Sequence, residues 1–491
     1  MQSGPDCKPS GRNTNTKMSR KKKDKPLLEN IVIEDVAAEG NALAHYNGKV
    51  LFVPGMVPGD VVDVQVRRER KGYIDGYAAR LVKPSEHRIE PVCEHFGICG
   101  GCKWQCLPYE MQLEAKQRQA VDQLTRIGHL QLPDISPIIG SDLQYYYRNK
   151  LEFTFSNRRW ILPGEDPDAL SDEERLGLGF HISGFFDKVL DLKKCHLMAE
   201  PCNEIRNFIR RYAIENGLSF FDLRAQNGFL RNLILREASS GEIMLTVVFG
   251  PDAERDSDNV TKMLEAISGH FGQITSLNYV INPKPNDTIG DLEIKTFSCR
   301  DCIYEIMGDL RFKIGPKSFY QTNSAQAFKL YSVVRNFASS EVVQNPVIYD
   351  LYTGTGTIAL FLSSIASKVV GIEYVPEAIE DARENASVNN ISNCTFYAGD
   401  MKDVLNKEFI EANGKPDLIV LDPPRAGIHP SVAQVILEAA PPVIIYVSCN
   451  PASQARDLAV LSEKYNIAAV QPVDMFPQTQ HVENVVKLLL K

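Results

Sequence analysis

Ile445-Tyr446-Val447-Ser448-Cys449-Asn450-Pro451 places a cysteine just past an apolar strand, and upstream Leu418-Ile419-Val420-Leu421-Asp422-Pro423-Pro424-Arg425 does the same for an aspartate. In an open parallel α/β sheet, ligands sit in the crevice outside the carboxyl ends of the strands. A thiol and a carboxylate at two such ends therefore face one crevice. A third apolar strand, Val347-Ile348-Tyr349-Asp350-Leu351, leaves through Tyr352-Thr353-Gly354-Thr355-Gly356-Thr357 into the helical run Ile358 to Leu362. From Gln344 onward apolar strands alternate with helical stretches, the mark of a doubly wound sheet. Together these stretches describe a nucleotide-type cofactor facing a nucleophilic cysteine, and so an enzyme.

The cofactor side rests on more than one glycine pair. Lys368-Val369-Val370-Gly371-Ile372-Glu373 is a further strand ending in an acid, placed where such folds keep the carboxylate that binds ribose hydroxyls. Asp400, after Tyr397-Ala398-Gly399, is expected to meet the adenine amine. Gly354-x-Gly356 lacks the third glycine of the pyrophosphate fingerprint, which favours S-adenosylmethionine over a nicotinamide dinucleotide.

The rest of the chain divides by composition. Its 491 residues exceed one ordinary domain, and 44% hydrophobic with 24% charged residues is a globular composition. A net charge of −8 excludes a molecule that binds nucleic acid by overall charge. Basic residues are concentrated instead in a polar tail, Lys17 to Lys25, and in Arg67-Arg68-Glu69-Arg70-Lys71-Gly72-Tyr73. Around the latter, short β-branched runs with Pro-Gly turns predict a small barrel of the oligonucleotide-binding sort, of four or five strands, with a basic hairpin suited to phosphates and a stacked base. No apolar run spans a bilayer and the N-terminus carries no secretory pattern, so the expected place is the cytoplasm.

Eleven cysteines without an export signal point to metal or catalytic thiols rather than disulfides. Cys93-x5-Cys99-x2-Cys102 puts three thiols in one glycine-rich loop, with Cys106 and Cys195 as candidates for a fourth ligand. Four thiolates suit zinc or an iron–sulfur cluster, and the long first gap tilts the reading toward iron–sulfur.

Chemistry joins the two halves of the crevice. Carbon 5 of a pyrimidine is not nucleophilic until a thiolate adds to carbon 6 and turns the ring into an enolate. The enolate then attacks the sulfonium methyl, and a base takes the C5 proton so that the thiol leaves. Cys449 supplies the thiolate, Asp422 a carboxylate at the neighbouring strand end, and Arg425 a compensating charge. Glu483, in Gln480-His481-Val482-Glu483-Asn484-Val485, is the best candidate base.

These motifs resemble the RNA uracil-5-methyltransferase family, in the subgroup with an N-terminal TRAM barrel and a four-iron, four-sulfur cluster. The resemblance covers nearly everything from residue 27 onward. It implies a class I S-adenosylmethionine-dependent methyltransferase fold, α/β and doubly wound, preceded by an OB-like barrel and a central α+β domain carrying a [4Fe-4S] cluster. The implied division is a disordered basic tail over 1–26, the barrel over 27–85, a cysteine-rich segment and helix over 86–135, the central domain over 136–320, and the methyltransferase domain over 321–491. Family cluster ligands fall on Cys93, Cys99, Cys102 and Cys195, leaving Cys106 spare. The nucleophile falls on Cys449, the base on Glu483, and cofactor contacts on Gln321, Tyr352, Glu373 and Asp422. The implied partner is 23S ribosomal RNA, with no membrane and no obligate protein partner. Alternative readings are a transfer-RNA uracil-5-methyltransferase, an RNA cytosine-5-methyltransferase, or a non-catalytic RNA-binding assembly factor.

Overall fold

The computed structural model describes residues 25–340 and 344–491. The expected basic tail therefore lies, but for Lys25 and Pro26, outside the described residues. Strands β1 (Leu27–Val32), β2 (Asp35–Val36), β3 (Asn41–Tyr46), β4 (Lys49–Pro54), β5 (Val61–Glu69) and β6 (Tyr73–Lys83) form one sheet in the order β1-β5-β6-β4-β3-β2. It wraps one apolar core that includes Leu28, Ala44, Leu51, Val53, Val62, Val64 and Ile74. Six strands replace the expected four or five, because Asp35–Val36 contributes a two-residue strand too short to leave an alternating pattern. Gly76 permits the β5–β6 pairing to close: a Cβ there would stand 2.4 Å from Val64 Cγ1.

A long helix, α1 (Tyr109–Arg126), follows the cysteine-rich loop. Next comes a mostly antiparallel sheet built from β7 (Lys150–Ser156), β8 (Gly177–His181), β9 (Val189–Asp191), β10 (Leu230–Glu237), β11 (Ile243–Phe249), β12 (Ile274–Ile281) and β13 (Lys295–Cys299). Helices α2 (Cys202–Glu215) and α3 (Ser257–His270) share its core. A hairpin, β14 (Ile303–Met307) and β15 (Leu310–Ile314), and helix α4 (Ser324–Ser339) lead into the last sheet.

That sheet holds β16 (Val347–Leu351), β17 (Lys368–Glu373), β18 (Cys394–Ala398), β19 (Leu418–Leu421), β20 (Val443–Ser448), β21 (Tyr465–Val473) and β22 (Glu483–Leu490). Its order is β18-β17-β16-β19-β20-β22-β21, parallel through β20 and antiparallel at β22 and β21. The order reverses between β16 and β19, and that switch point opens the crevice. Successive side chains alternate between two apolar layers. Ile348, Val369, Leu418, Val420 and Ile445 face α4 and the helices α5 (Thr357–Leu362) and α6 (Pro376–Val388). Tyr349, Leu351, Val370, Ile419 and Ile444 face two later helices, Pro430–Ala439 and Pro451–Leu461. Each fully buried aliphatic side chain contributes roughly 1.5–3 kcal/mol.

Helix α1 belongs to the second layer: Leu124 shares its apolar cluster with Ala455 and Leu458. A helix that precedes the central sheet in sequence thus packs on the C-terminal one. Among the described residues no helix is long and apolar enough to cross a membrane.

Candidate active site

Four strand ends deliver the crevice. Asp350, the fourth residue of β16, is fully buried and accepts a 2.5 Å hydrogen bond from the Thr353 hydroxyl. The turn that follows uses left-handed backbone at Tyr352 (φ 68°), Gly354 (55°) and Gly356 (81°). At Gly356 a Cβ would sit 3.0 Å from Ala382 Cβ and 3.2 Å from Phe396, so a glycine is required both by φ and by space. Glu373 ends β17 with both carboxylate oxygens occupied by backbone: Oε2 accepts from Gly354 N–H at 3.2 Å and Oε1 from Val375 N–H at 3.0 Å. Those bonds hold the acid beside the glycine turn while leaving lone pairs for hydroxyl donors. Gln321 lies half-buried before α4; its carbonyl accepts from Asn149 Nδ2 at 2.9 Å and its side chain meets the buried Tyr331 hydroxyl.

Asp400 follows the end of β18. It caps the turn Met401–Val404, accepting from Lys402 N–H at 3.2 Å, and pairs with the Lys402 ammonium. The cap and the ion pair take up part of the acceptor capacity of this half-buried carboxylate.

Asp422 and Cys449 follow the adjacent strands β19 and β20. Their loops are tied together, since the Arg425 carbonyl accepts from Asn450 Nδ2 at 3.0 Å and from Ser453 Oγ at 2.9 Å. Glu483 reaches the same place from the opposite direction. Strand β22 runs antiparallel to β20 with Ser448 opposite Asn484, so Glu483 and Cys449 face each other at the next step of the ladder. Gln454 fixes that register: its Nε2 donates to the carbonyls of Tyr446 (2.9 Å) and Asn484 (3.1 Å), and its Oε1 accepts from Asn484 Nδ2 (2.8 Å).

The electrostatics of this cluster are those of a site short of positive charge. Burial raises Asp350 to about 6, and the nearby Glu373 adds to the shift. Asp422 is pushed up to about 7 by burial and by Asp350. Glu483 rises to about 8 from burial and the charge of Asp422, partly offset by Arg425. The Cys449 thiol climbs to about 11 through burial, Glu483 and Asp422, with Arg425 again opposing. Buried carboxylates raised by their acidic neighbours, next to a buried thiol, suit a cationic ligand.

The cysteine-rich loop folds against the central domain. Burial raises Cys99 to about 11 and Cys102 to about 12, and in both cases Cys195 and Cys93 add to the shift, so the four thiols lie in one neighbourhood. Among the described residues no group of three or more His, Cys, Asp or Glu is arranged to hold a metal ion. Cys106 goes elsewhere. It is buried among Val57, Trp104, Leu107 and Ala115, between the barrel and α1, which removes it as the fourth partner of that loop.

Sequence reasoning missed the residues that hold Glu483 in place. Asp474 to Val482 connects β21 to β22 and ends at Glu483. Asn323 Nδ2 donates to Met475 O (2.9 Å), Gln326 Nε2 to Asp474 O (2.7 Å) and the Tyr147 hydroxyl to Pro477 O (3.0 Å). From α1, Lys116 and Gln112 reach the same loop. A signal existed: Gln112, Lys116, Ala120 and Leu124 recur every fourth residue, which puts two polar side chains on the buried stripe of the helix.

Comparison with known proteins agrees with this geometry. The family model of tRNA (uracil-5-)-methyltransferases matches residues 305–491, and that of the TRAM domain matches residues 29–78. An RNA methyltransferase of Bacteroides thetaiotaomicron is 54% identical, covering 93% of this chain and 100% of its own length. One from Chlorobaculum tepidum is 40% identical over 89% of this chain and 91% of its own. Among solved structures, the Pyrococcus abyssi tRNA (uracil-54, C5)-methyltransferase in complex with S-adenosyl-L-homocysteine aligns with a TM-score of 0.71 at 28% identity, covering 93% of this chain and 99% of that one. The chain belongs to the RNA uracil-5-methyltransferase family, as an S-adenosylmethionine-dependent enzyme with a TRAM domain.

Proposed function

We propose that the enzyme methylates carbon 5 of a specific uridine in 23S ribosomal RNA, with Cys449 as nucleophile and Glu483 as base. The observation that carries this is the meeting of Cys449, Glu483, Asp422 and Arg425 at the carboxyl end of the last sheet, where Glu483 faces Cys449 across the β20–β22 ladder and Asp422 and Arg425 act on both groups. S-adenosylmethionine supplies an electrophilic methyl on a cationic sulfonium, held by Gln321, Tyr352, Glu373 and Asp422. The Cys449 thiolate adds to C6, and the C5 carbanion so formed takes the methyl. Glu483 then removes the C5 proton, the C6–Sγ bond breaks, and the thiolate returns. Bringing the base into reach requires that the uridine leave its stack, which costs a few kcal/mol.

Cys93, Cys99, Cys102 and Cys195 are proposed to hold a [4Fe-4S] cluster. Their support is the donor set and its crowding: burial raises all four thiols, and Cys93 adds to the shifts of the other three, a strain relieved by a cation that takes them as thiolates. The chemistry above needs no electrons, so the cluster's role is structural. Iron content and brown absorbance in protein prepared anaerobically, and their loss in Cys99→Ser, test the assignment. Cluster-free protein that kept its fold, RNA affinity and turnover would defeat the structural role.

Transfer RNA is the second reading, favoured by the full-length likeness to the Pyrococcus abyssi enzyme. Labelled S-adenosylmethionine, given with ribosomal and transfer RNA lacking 5-methyluridine and followed by nucleoside identification, separates the two. Label in 5-methyluridine of ribosomal RNA supports the proposal, and label only in transfer RNA replaces it with the second reading. Label in 5-methylcytidine would overturn the uridine assignment, and no label in either RNA would turn the reading toward a binding factor.

A further inference from the structure

Glu483 lies at the end of a nine-residue connection, Asp474 to Val482, whose shape is imposed from outside the methyltransferase sheet. At its start, Asp474 and Lys116 of α1 form an ion pair of 2.5 Å in which both side chains are wholly buried. The Lys116 ammonium also donates to Phe476 O at 3.0 Å, and Asp474 accepts from the Tyr109 hydroxyl at 2.8 Å and from Phe476 N–H at 3.0 Å. Further along, Gln112 and Gln478 bond reciprocally: Gln112 Nε2 donates to Gln478 Oε1 (3.1 Å) while Gln478 N–H donates to Gln112 Oε1 (2.9 Å). The Gln478 carbonyl accepts from the N–H groups of Lys103 (2.8 Å) and Trp104 (3.1 Å), directly after Cys102. Gln478 itself is left-handed at φ 68°, a conformation uncommon for a non-glycine residue that persists only when its surroundings dictate it.

Stability alone does not call for this design. Apolar side chains of the same volume hold a helix against a loop without the desolvation cost of a buried ion pair. What fully paired polar groups add is one geometry rather than several. The geometry at stake is the position of a carboxylate that must reach a proton on the substrate ring, where a displacement of about 1 Å is worth about a hundredfold in rate.

We propose that Lys116, Asp474 and Gln112 are positioning residues for the methylation: they fix the loop that sets Glu483 opposite Cys449, and they act on removal of the C5 proton. The inference rests on the reading of Glu483 as base. Steps before proton removal, namely cofactor binding, formation of the C6–Sγ bond and transfer of the methyl, depend on groups held by other elements. A displaced Glu483 therefore leaves a methylated adduct in which Cys449 remains bonded to C6, because the C5–H bond must break before the C6–Sγ bond can.

The test uses full-length protein prepared anaerobically, the RNA that accepts label in the experiment above, and the variants Gln112→Leu, Lys116→Met and Glu483→Gln. The readout is the fraction of enzyme covalently joined to RNA and resistant to denaturation, with 5-fluorouridine RNA as control, since its C5 carries no proton to remove. Gln112→Leu is expected to form the adduct with the fluorinated RNA at the wild-type rate, yet to resolve the adduct on ordinary RNA about tenfold or more slowly. Lys116→Met, if it folds, should do the same more strongly; if it does not fold, Gln112→Leu decides. Slowing of adduct formation and resolution together would make the network merely structural and overturn the proposal. So would unchanged resolution in Gln112→Leu while Glu483→Gln accumulates adduct. If Glu483→Gln itself accumulates none, the reading of Glu483 as base fails instead.

Discussion

Glu483 carries its raised pKa as a measurable liability of the ligand-free protein. Its ordinary value is 4.5 and its folded value about 8, so between those limits the native state holds a proton that the unfolded chain gives up. Stability therefore falls as pH rises through that window, by up to about 1.4 kcal/mol per pH unit for one fully responsive group. Asp422, raised from 3.8 to about 7, works in the same direction over a lower range. Glu483→Gln removes one such group, and the variant should melt higher than wild type at pH 8 and no higher at pH 4.5. A gain of about 1 kcal/mol corresponds to about 2–4 °C in a domain of roughly 150–250 residues. Thermal melts of both proteins across pH 4.5 to 8, without cofactor, check this; parallel profiles would mean that Glu483 titrates normally. Activity separates the two reacting groups: Cys449→Ala should abolish methylation while leaving cofactor binding intact, which equilibrium dialysis with labelled S-adenosylmethionine would measure.

The glycine turn after β16 sets its prediction at the scale of the element. A Cβ at Gly356 would need left-handed backbone and would press on both Ala382 of α6 and Phe396 of β18. Forcing an ordinary residue into that conformation costs roughly 1–2 kcal/mol before any clash. Gly356→Val should lower the melting temperature and weaken cofactor affinity, because β16, β17 and α6 meet at that turn. Titration calorimetry alongside a thermal melt checks both halves; unchanged cofactor affinity with a lowered melting temperature would place the binding turn elsewhere. This was also the part of the site most legible in the sequence. Strand ends and glycines are local signals, and Cys449, Asp422, Glu373 and the turn could be read from a few residues each. What the sequence hid was long-range. That Glu483 faces Cys449 depends on β22 inserting antiparallel between β20 and β21, and no local pattern encodes that choice. Lys116 and Gln112 share the buried stripe of α1 with Ala120 and Leu124, but only the fold shows that the Asp474–Val482 loop is what they meet.

Taken as a whole, the molecule must hold RNA with a net charge of −8. Its attraction for phosphates therefore comes from local patches, and the barrel presents one. Arg67, Arg68, Arg70 and Lys71 are exposed at the β5–β6 hairpin, with the Arg67 guanidinium 4.9 Å from the centre of the Tyr77 ring and Tyr73 exposed in the same hairpin. The turn of Gly40 in the same barrel packs on the Asp474–Val482 loop: a Cβ on that glycine would lie 3.2 Å from Gln480 Cβ. The barrel and the loop that leads to Glu483 are thus in direct contact, so on the proposed reading an RNA gripped by the hairpin is held against the body that carries Cys449. Counterion release gives the affinity of such a patch a salt dependence proportional to the phosphates it neutralises, about 0.7 in slope for each on a single strand. Replacing Arg68, Arg70 and Lys71 together by serine should lower RNA affinity and flatten the slope of log affinity against log salt by up to about 2, at about 0.7 for each lost contact. Cofactor affinity and the melting temperature should stay near wild type, since none of the three is buried or paired with the core. Filter binding of the accepted RNA between low and physiological salt measures the slope directly. An unchanged slope would move the RNA's path off this hairpin.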